Sequence, residues 1–312
     1  MAWLECLALG ELPWLVHAFS TRHGGVSRAP CAGLNLSFTE SDRRARVEEN
    51  RRRFLAQTGT ADFEWATVRQ VHSTHAFVVT RASTGELQYQ LPGAESARPE
   101  AVRPLQGDTK ATARPAPAHP PAGDAAMTAE PGILLSVRIA DCLPVLLADP
   151  QRRAVAVVHA GWRGALARII EKAVGDMRGA FGSDPAQFVA ALGPSIRACC
   201  YDVGEAVVDA FQGAFPRSEK FFQKLPDRPE GRVDRPTNLF LSDYPPGHAP
   251  VRVPAARLDL IAVGKDQLAT AGVKLSHIFV ADYCTACRTD LFFSHRKEGA
   301  GTGRQMAAIG IR

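Results

Sequence analysis

The sequence predicts a mixed α/β protein of the α+β type, with layered mixed β-sheets flanked by helices in one domain covering residues 1–312. Three observations predict it. Strand-like and helical stretches alternate irregularly and include hairpins, which points away from a doubly wound parallel sheet. A chain of 312 residues with 46% hydrophobic content is long enough to fill one large core. Two stretches, near 95–123 and near 224–254, are rich in Pro and polar or small residues and too poor in large apolar ones to hold a core of their own. They read as insertions: the first an extended, mobile segment, the second a loop.

Taken in order, Leu15–Ser20 is a short apolar strand that runs into Thr21-Arg22-His23-Gly24-Gly25-Val26-Ser27. Adjacent glycines there allow either a tight turn or a close backbone approach to a ligand. Asp42–Gln57 is an Arg- and Glu-rich helix in which Val47, Asn50, Arg51, Phe54 and Leu55 fall near one face, so Asn50 and Arg51 flank the buried stripe and need polar partners. Trp65–Thr80 reads as two strands around Gln70-Val71-His72-Ser73-Thr74-His75. His72 and His75 would face opposite sides of an extended chain, so at most one of them can join a given site.

The central stretch runs from Ile133 to Gly164. Its apolar runs Pro144–Ala148 and Ala154–Val158 flank Asp149-Pro150-Gln151-Arg152 and predict a β-hairpin. Cys142 and His159 are equidistant from the midpoint of that turn. Opposed strand residues have Cβ atoms roughly 4.5–5.5 Å apart, close enough to share a metal ion, whereas a one-residue register shift would turn one of them away. Ala165–Met177 then has helical apolar spacing. Further on, Phe188–Leu192 reads as a strand, Glu205–Phe215 as a helix, Ala256–Ala271 as a helix, Ile278–Ala281 as a strand and Met306–Ile311 as a final strand.

Composition narrows the function. The net charge of +5 is spread along the chain without a dense basic block, which favours small anionic ligands over nucleic acid. No run reaches the roughly 18 apolar residues of a membrane span, and Met1–Pro13 carries Glu5 and Glu11 in place of a basic leader. Seven cysteines, an odd number, fit a reducing compartment better than a disulfide framework. The expectation is a cytoplasmic protein with no nucleic-acid or membrane partner, its oligomeric state left open by the sequence with the monomer favoured.

For chemistry, His72, Cys142 and His159 would make a His₂Cys zinc site with an open fourth position. The same residues also admit Cys142 as a nucleophile activated by His159, and the sequence alone leaves both open. Cys284-Thr-Ala-Cys287 is a C-x-x-C that could be redox-active or half of a zinc site, without a second C-x-x-C to complete it. The adjacent pair Cys199-Cys200 reads as packing. Copper oxidase centres need several His-rich motifs, which nine scattered histidines do not supply.

Taken together, Phe19-Ser-Thr-Arg-His-Gly-Gly-Val-Ser27, Gln70-Val-His72, Ala140-Asp-Cys-Leu-Pro144, Val158-His-Ala-Gly-Trp-Arg-Gly164, Gly193-Pro-Ser195 with Cys199-Cys-Tyr-Asp-Val-Gly204, and Thr302-Gly-Arg-Gln305 resemble the laccase-domain, or polyphenol-oxidase-like, family. The resemblance spans nearly the whole chain. It implies a purine nucleoside phosphorylase, with purine nucleosides and phosphate as substrates, one zinc ion on His72, Cys142 and His159, and adenosine deaminase activity besides. Under that reading Arg51, then Arg22, are the candidate phosphate partners, Asn50 a further substrate contact, and Asp141 the candidate acid/base group. A cytoplasmic amidase acting on cell-wall precursor peptides and a non-catalytic zinc-stabilised binding module are the alternatives. The family pattern is altered at Gly123-Asp-Ala-Ala-Met-Thr128 and at Arg197, positions that bear on substrate preference.

Overall fold

The computed structural model describes residues 3–93, 120–225 and 255–312. Most of the two insertions expected from composition therefore lies outside the described residues. The exceptions are 120–123, where Arg69 N donates to Pro121 O and Gly123 N to Arg69 O, and 224–225.

In chain order the elements are β1 (Trp3–Leu4), α1 (Leu7–Gly10), β2 (Leu15–Ser20), α2 (Arg44–Thr58), β3 (Glu64–Thr67), β4 (Ala76–Arg81) and β5 (Leu87–Gln90). They continue with β6 (Ala125–Thr128), β7 (Ile133–Ile139), β8 (Leu143–Asp149), β9 (Ala154–Ala160), α3 (Trp162–Leu166), α4 (Ile169–Phe181) and β10 (Val189–Leu192). The last are β11 (Asp202–Val203), α5 (Glu205–Ala214), β12 (Phe222–Gln223), β13 (Ala256–Leu258), α6 (Leu260–Thr270), β14 (Ile278–Val280), α7 (His295–Glu298) and β15 (Gln305–Ile311).

Two large sheets stack between helices. One has the order β1-β2-β15-β7-β3, the other β14-β10-β8-β9-β6-β4-β5, and a small third sheet has the order β11-β13-β12. Parallel pairs (β3 with β7, β4 with β6, β10 with β14) stand among antiparallel ones, so the sheets are mixed as expected.

The hairpin β8–β9 explains the layering. Every residue of both strands is buried. Leu146, Ala148, Val155 and Val157 point into the core shared with the other sheet, where they meet Phe19, Val137 and Ile309. Val145, Leu147, Ala156 and Val158 point the other way, into the core under Ile169, Ile170 and Val174 of α4 and Val263 of α6. A strand buried on both faces reads as a continuous apolar run, because neither face alternates with water. The five-stranded sheet turns its outer face to α2, where Val16, Leu134 and Ala308 pack on Phe54.

Two expected helices are divided differently. The apolar spacing of 165–177 crosses a break: α3 ends at Leu166, Arg168 takes a left-handed conformation (φ 62°), and α4 begins at Ile169. The buried Gln267 bridges the break, its Nε2 donating to Ala165 O and its Oε1 accepting from Ile170 N. The end of one helix and the start of the next thus share one amide in place of water. Similarly, 256–258 form strand β13 and not the first turn of a helix. Asp259 caps α6 by accepting from the backbone N–H groups of Ile261 and Ala262.

Candidate metal centre

The hairpin register differs from the expected one by two residues. Pro144 pairs with His159 and Leu143 with Ala160, around a turn of Pro150–Arg153. Cβ direction alternates with period two, so this shift keeps Cys142 and His159 on one face. His72 comes from the loop between β3 and β4 with φ 59°. The three ligating atoms, one each from His72, Cys142 and His159, lie within 4.8 Å of one another. Cys142 Sγ is 3.8 Å from His72 Nε2, and the two imidazole rings meet edge to face at 5.0 Å between centroids. His75 is exposed and stands outside the group.

Space for the group is made by Gly161, which follows β9. A Cβ there would fall 2.6 Å from His72 Cδ2 and 3.0 Å from Cys142 Sγ. A side chain at this position would fill the point on which the three donors converge.

Asp124, at the mouth of β6, organises the surroundings. Its carboxylate accepts from the backbone N–H groups of Val71, His72 and Ser73 and from Ser73 Oγ, and it faces His159 Nδ1 at 2.9 Å. Burial disfavours its charge, yet the bond to His159 and those to Ser73 hold its pKa down to about 2. An ionised carboxylate can only accept, so Nδ1 of His159 carries a proton; burial opposes charge on the ring, yet Cys142 and Asp124 raise it to about 9, so Nε2 also carries a proton, one that a bound metal ion would displace. Burial raises the Cys142 thiol, but the neighbouring His159 and His72 outweigh it and favour thiolate. A thiolate and two imidazoles with one side left open suit zinc.

Asp141 does sit beside Cys142 on the same side. Its backbone, at φ 92°, supplies the bend before Pro144 without which adjacent residues would diverge. Its carboxylate accepts from Thr285 Oγ1, Ser294 Oγ and Arg296 N at 2.6–2.7 Å. Asp141, Cys142, Ile196, Tyr201, Leu260, His295 and Arg296 line a narrow cleft over the site. His295, which the sequence reading did not single out, is pushed down to about 4 by burial and by Arg304 and Arg296, so it is a neutral imidazole.

The other expected substrate residues are placed elsewhere. Asn50 is fully buried and accepts from Val26 N while donating to Ser27 Oγ, Gly33 O and Asn35 O. It clasps the 24–35 loop and is spent on the backbone. Arg22 pairs with Glu298 at 2.8 Å, donates to Thr289 O and Ala32 O and stacks on Phe293, which leaves it a structural tie. Gly25 packs against the Gly33 backbone, where a Cβ would come within 2.2 Å, so the glycine pair serves close loop packing.

Arg51 lies between Phe38 and Trp65 with Nε donating to Leu36 O. Burial, then Arg138 and Arg44, push it down to about 10. Arg138 is lowered by burial and by Arg304. Arg304 is lowered by burial, which outweighs the pull of Asp141 and Cys142. Arg51 thus stands within electrostatic reach of Arg138, Arg138 of Arg304, and Arg304 of Cys142 in the candidate metal centre. Among the described residues none of them has a carboxylate within 4.0 Å. Arg138 and Arg304 carry no apolar periodicity to mark them in sequence. Asp124 stands inside a recognisable Gly-Asp-Ala motif.

Fold and donor set together define a class: a layered α/β domain that presents two histidines and a cysteine to a single point. The chain belongs to the family described as multi-copper polyphenol oxidoreductase laccase, which matches residues 16–312. It is 32% identical to the purine nucleoside phosphorylase YlmD of Geobacillus stearothermophilus, over 99% of this chain and 94% of that protein. It is 31% identical to the adenosine deaminase RL5 of an unknown prokaryotic organism, over 94% of this chain and 93% of that one. The crystal structure of YlmD from Geobacillus stearothermophilus superposes with a TM-score of 0.75 at 30% identity, covering 100% of this chain and 97% of that one. No helix among the described residues is long and apolar enough to cross a membrane.

Proposed function

We propose that the chain is a zinc-dependent purine nucleoside phosphorylase, converting adenosine, inosine, guanosine or methylthioadenosine to the free base and ribose 1-phosphate, with adenosine deaminase activity besides. The observation that carries this reading is the set Arg51, Arg138 and Arg304, half-buried, with no carboxylate within 4.0 Å among the described residues, and with Arg304 within electrostatic reach of Cys142. Like charges gathered in a half-buried place favour an anion from outside, and guanidinium forks match phosphate oxygens.

Zinc held by His72, Cys142 and His159 would supply a Lewis acid with one open position. The remaining work falls to the chain. The three arginines neutralise and orient phosphate. His295, held neutral, lines the cleft without adding charge. Asp141 positions Thr285, Ser294 and Arg296 around the cleft, and Tyr201 and Leu260 give it apolar walls. Two donors being nitrogen and one a thiolate, the set also resembles a mononuclear copper site. The one other donor cluster among the described residues is made of four cysteines, which supports zinc over a multi-copper centre.

A second reading rests on the line Cys142–His159–Asp124, which has the order of a nucleophile, base and orienting acid. It would suit the amidase alternative. Incubation of purified protein with adenosine, with and without phosphate, separates the two by product chromatography. Adenine and ribose 1-phosphate formed only with phosphate support phosphorolysis, and inosine supports deamination. If neither appears from any of the four nucleosides, while a metal-free preparation cleaves an amide, the nucleoside reading fails.

A further inference from the structure

The loop after β10 and the loop after β14 run side by side, continuing the parallel pairing of those two strands. Ser195 and Cys284 form a bridge, and Thr285 N donates to Ser195 O. This contact brings the adjacent pair Cys199-Cys200 against Cys284 and Cys287, which the sequence reading treated as unrelated features. Sulfur separations are 3.8 Å between Cys199 and Cys200, 3.6 Å between Cys199 and Cys287 and 3.3 Å between Cys200 and Cys287, and all four sulfurs lie within 4.8 Å of one another.

We propose that Cys199, Cys200, Cys284 and Cys287 form a second, closed zinc site of the tetrathiolate kind. Four thiolates at a Zn–S distance of about 2.3 Å around a tetrahedral ion stand about 3.8 Å apart, close to the 3.3–3.8 Å found among Cys199, Cys200 and Cys287. A disulfide needs sulfurs at about 2.05 Å, and all four cysteines are free thiols. The separations are also too small to enclose a multi-iron cluster, so the site takes one ion. Backbone N–H groups of Arg197, Ala286 and Cys287 point at the Cys284 sulfur, the support expected for a metal thiolate. Cys284 is buried while Cys199 and Cys287 are exposed, so an ion can enter from solvent.

The site has a mechanical role. Both loops grip the segment that carries Cys142: Ile196 N donates to Asp141 O, and Thr285 Oγ1, from within the C-x-x-C, donates to the Asp141 carboxylate. An ion clamping the two loops fixes one wall of the catalytic cleft.

The test is a differential zinc count by elemental analysis on protein purified with reductant and freed of loose metal. Wild type should hold two zinc per chain, with one remaining in Cys142→Ala and one in Cys199→Ser/Cys287→Ser. Cobalt added to metal-free Cys142→Ala should give the intense sulfur-to-cobalt charge-transfer band of a thiolate-rich tetrahedral ion. If the double variant fails to fold, alkylation of wild type decides: Cys199 and Cys287 should resist iodoacetamide, despite their exposure, until a chelator is added. One zinc in wild type that disappears in Cys142→Ala would overturn the proposal, as would rapid alkylation of the zinc-loaded protein or a disulfide among the four. One zinc that survives Cys142→Ala and disappears in the double variant would support this site and sink the catalytic one.

Discussion

His159 Nδ1 and Asp124 Oδ1 face each other at 2.9 Å across 35 residues of sequence, joining the end of β9 to the mouth of β6. That contact fixes which nitrogen of His159 is turned to the donor group. Asp124→Asn should keep the shape but weaken zinc binding by about 10- to 100-fold, the usual effect of losing such a partner. A chelator competition titration reads it. Unchanged affinity would remove Asp124 from the site.

Gly161→Ala tests the geometry from another side. Its Cβ would intrude on His72 and Cys142, so the first zinc and the activity should be lost while circular dichroism and the melting profile stay near wild type. A fully active Gly161→Ala protein would mean that the three donors do not converge as described.

Arg304→Ala and Arg51→Lys address the anion. Losing a charge-assisted contact worth about 1.5–3 kcal/mol should raise KM for phosphate by about 10- to 100-fold while leaving deamination of adenosine nearly unchanged. Equal loss of both activities would place these arginines outside phosphate binding.

The break between α3 and α4 depends on one amide. Gln267→Leu, close in volume, removes the partner of Ile170 N in a buried place, at a cost of about 1–3 kcal/mol, and leaves Ala165 O with only Arg168 N. Urea unfolding should show a lower midpoint at an unchanged slope. An unaltered midpoint would mean that the break is satisfied by other groups.

His17 gives a pH signature. It is buried, its Nε2 accepts from Cys6 N at 2.8 Å, and burial lowers its pKa from 6.5. The unfolded imidazole takes up a proton near 6.5 and the native one only at lower pH, so the unfolded state binds more protons and stability falls as pH drops below about 6.5. His17→Gln, which keeps an acceptor that does not titrate, should flatten melting temperature against pH between about 6.5 and 5. The same slope in both proteins would show that His17 contributes nothing to it.

Much of this molecule could be read from residues alone because the signals were local. The β8–β9 hairpin and helix α2 rest on apolar runs and spacing, whereas the trio His72, Cys142 and His159, whose role the residues alone left open, rests on the family's motifs. The α3–α4 break escaped notice because Leu166, Ile169 and Ile170 keep helical spacing, and the residue that permits the break, Gln267, lies about a hundred positions away. Asn50 and Arg22 looked like ligands because a polar residue beside an apolar stripe needs a partner, and sequence does not say whether the partner is substrate or backbone. The four cysteines were separable into two weak features until β10 and β14 were seen to run parallel.

The placement of β15 bears on how the chain assembles. Ala308 pairs with Ala18 on one side and Ser136 on the other, so the middle of one sheet is filled by a segment from the far end of the sequence. The hairpin β8–β9, by contrast, closes over four residues. Long-range closure is entropically slow, so the hairpin that sets Cys142 and His159 on one face can form while its inner face still waits for the other layer. Arg304, which directly precedes β15, arrives with the late strand. Order of assembly thus separates these residues in time: Cys142 and His159 come together early, and Arg304 is delivered last. Pulse-labelled hydrogen exchange during refolding would show protection of Val145 and Val157 ahead of Ala308 and Ile309.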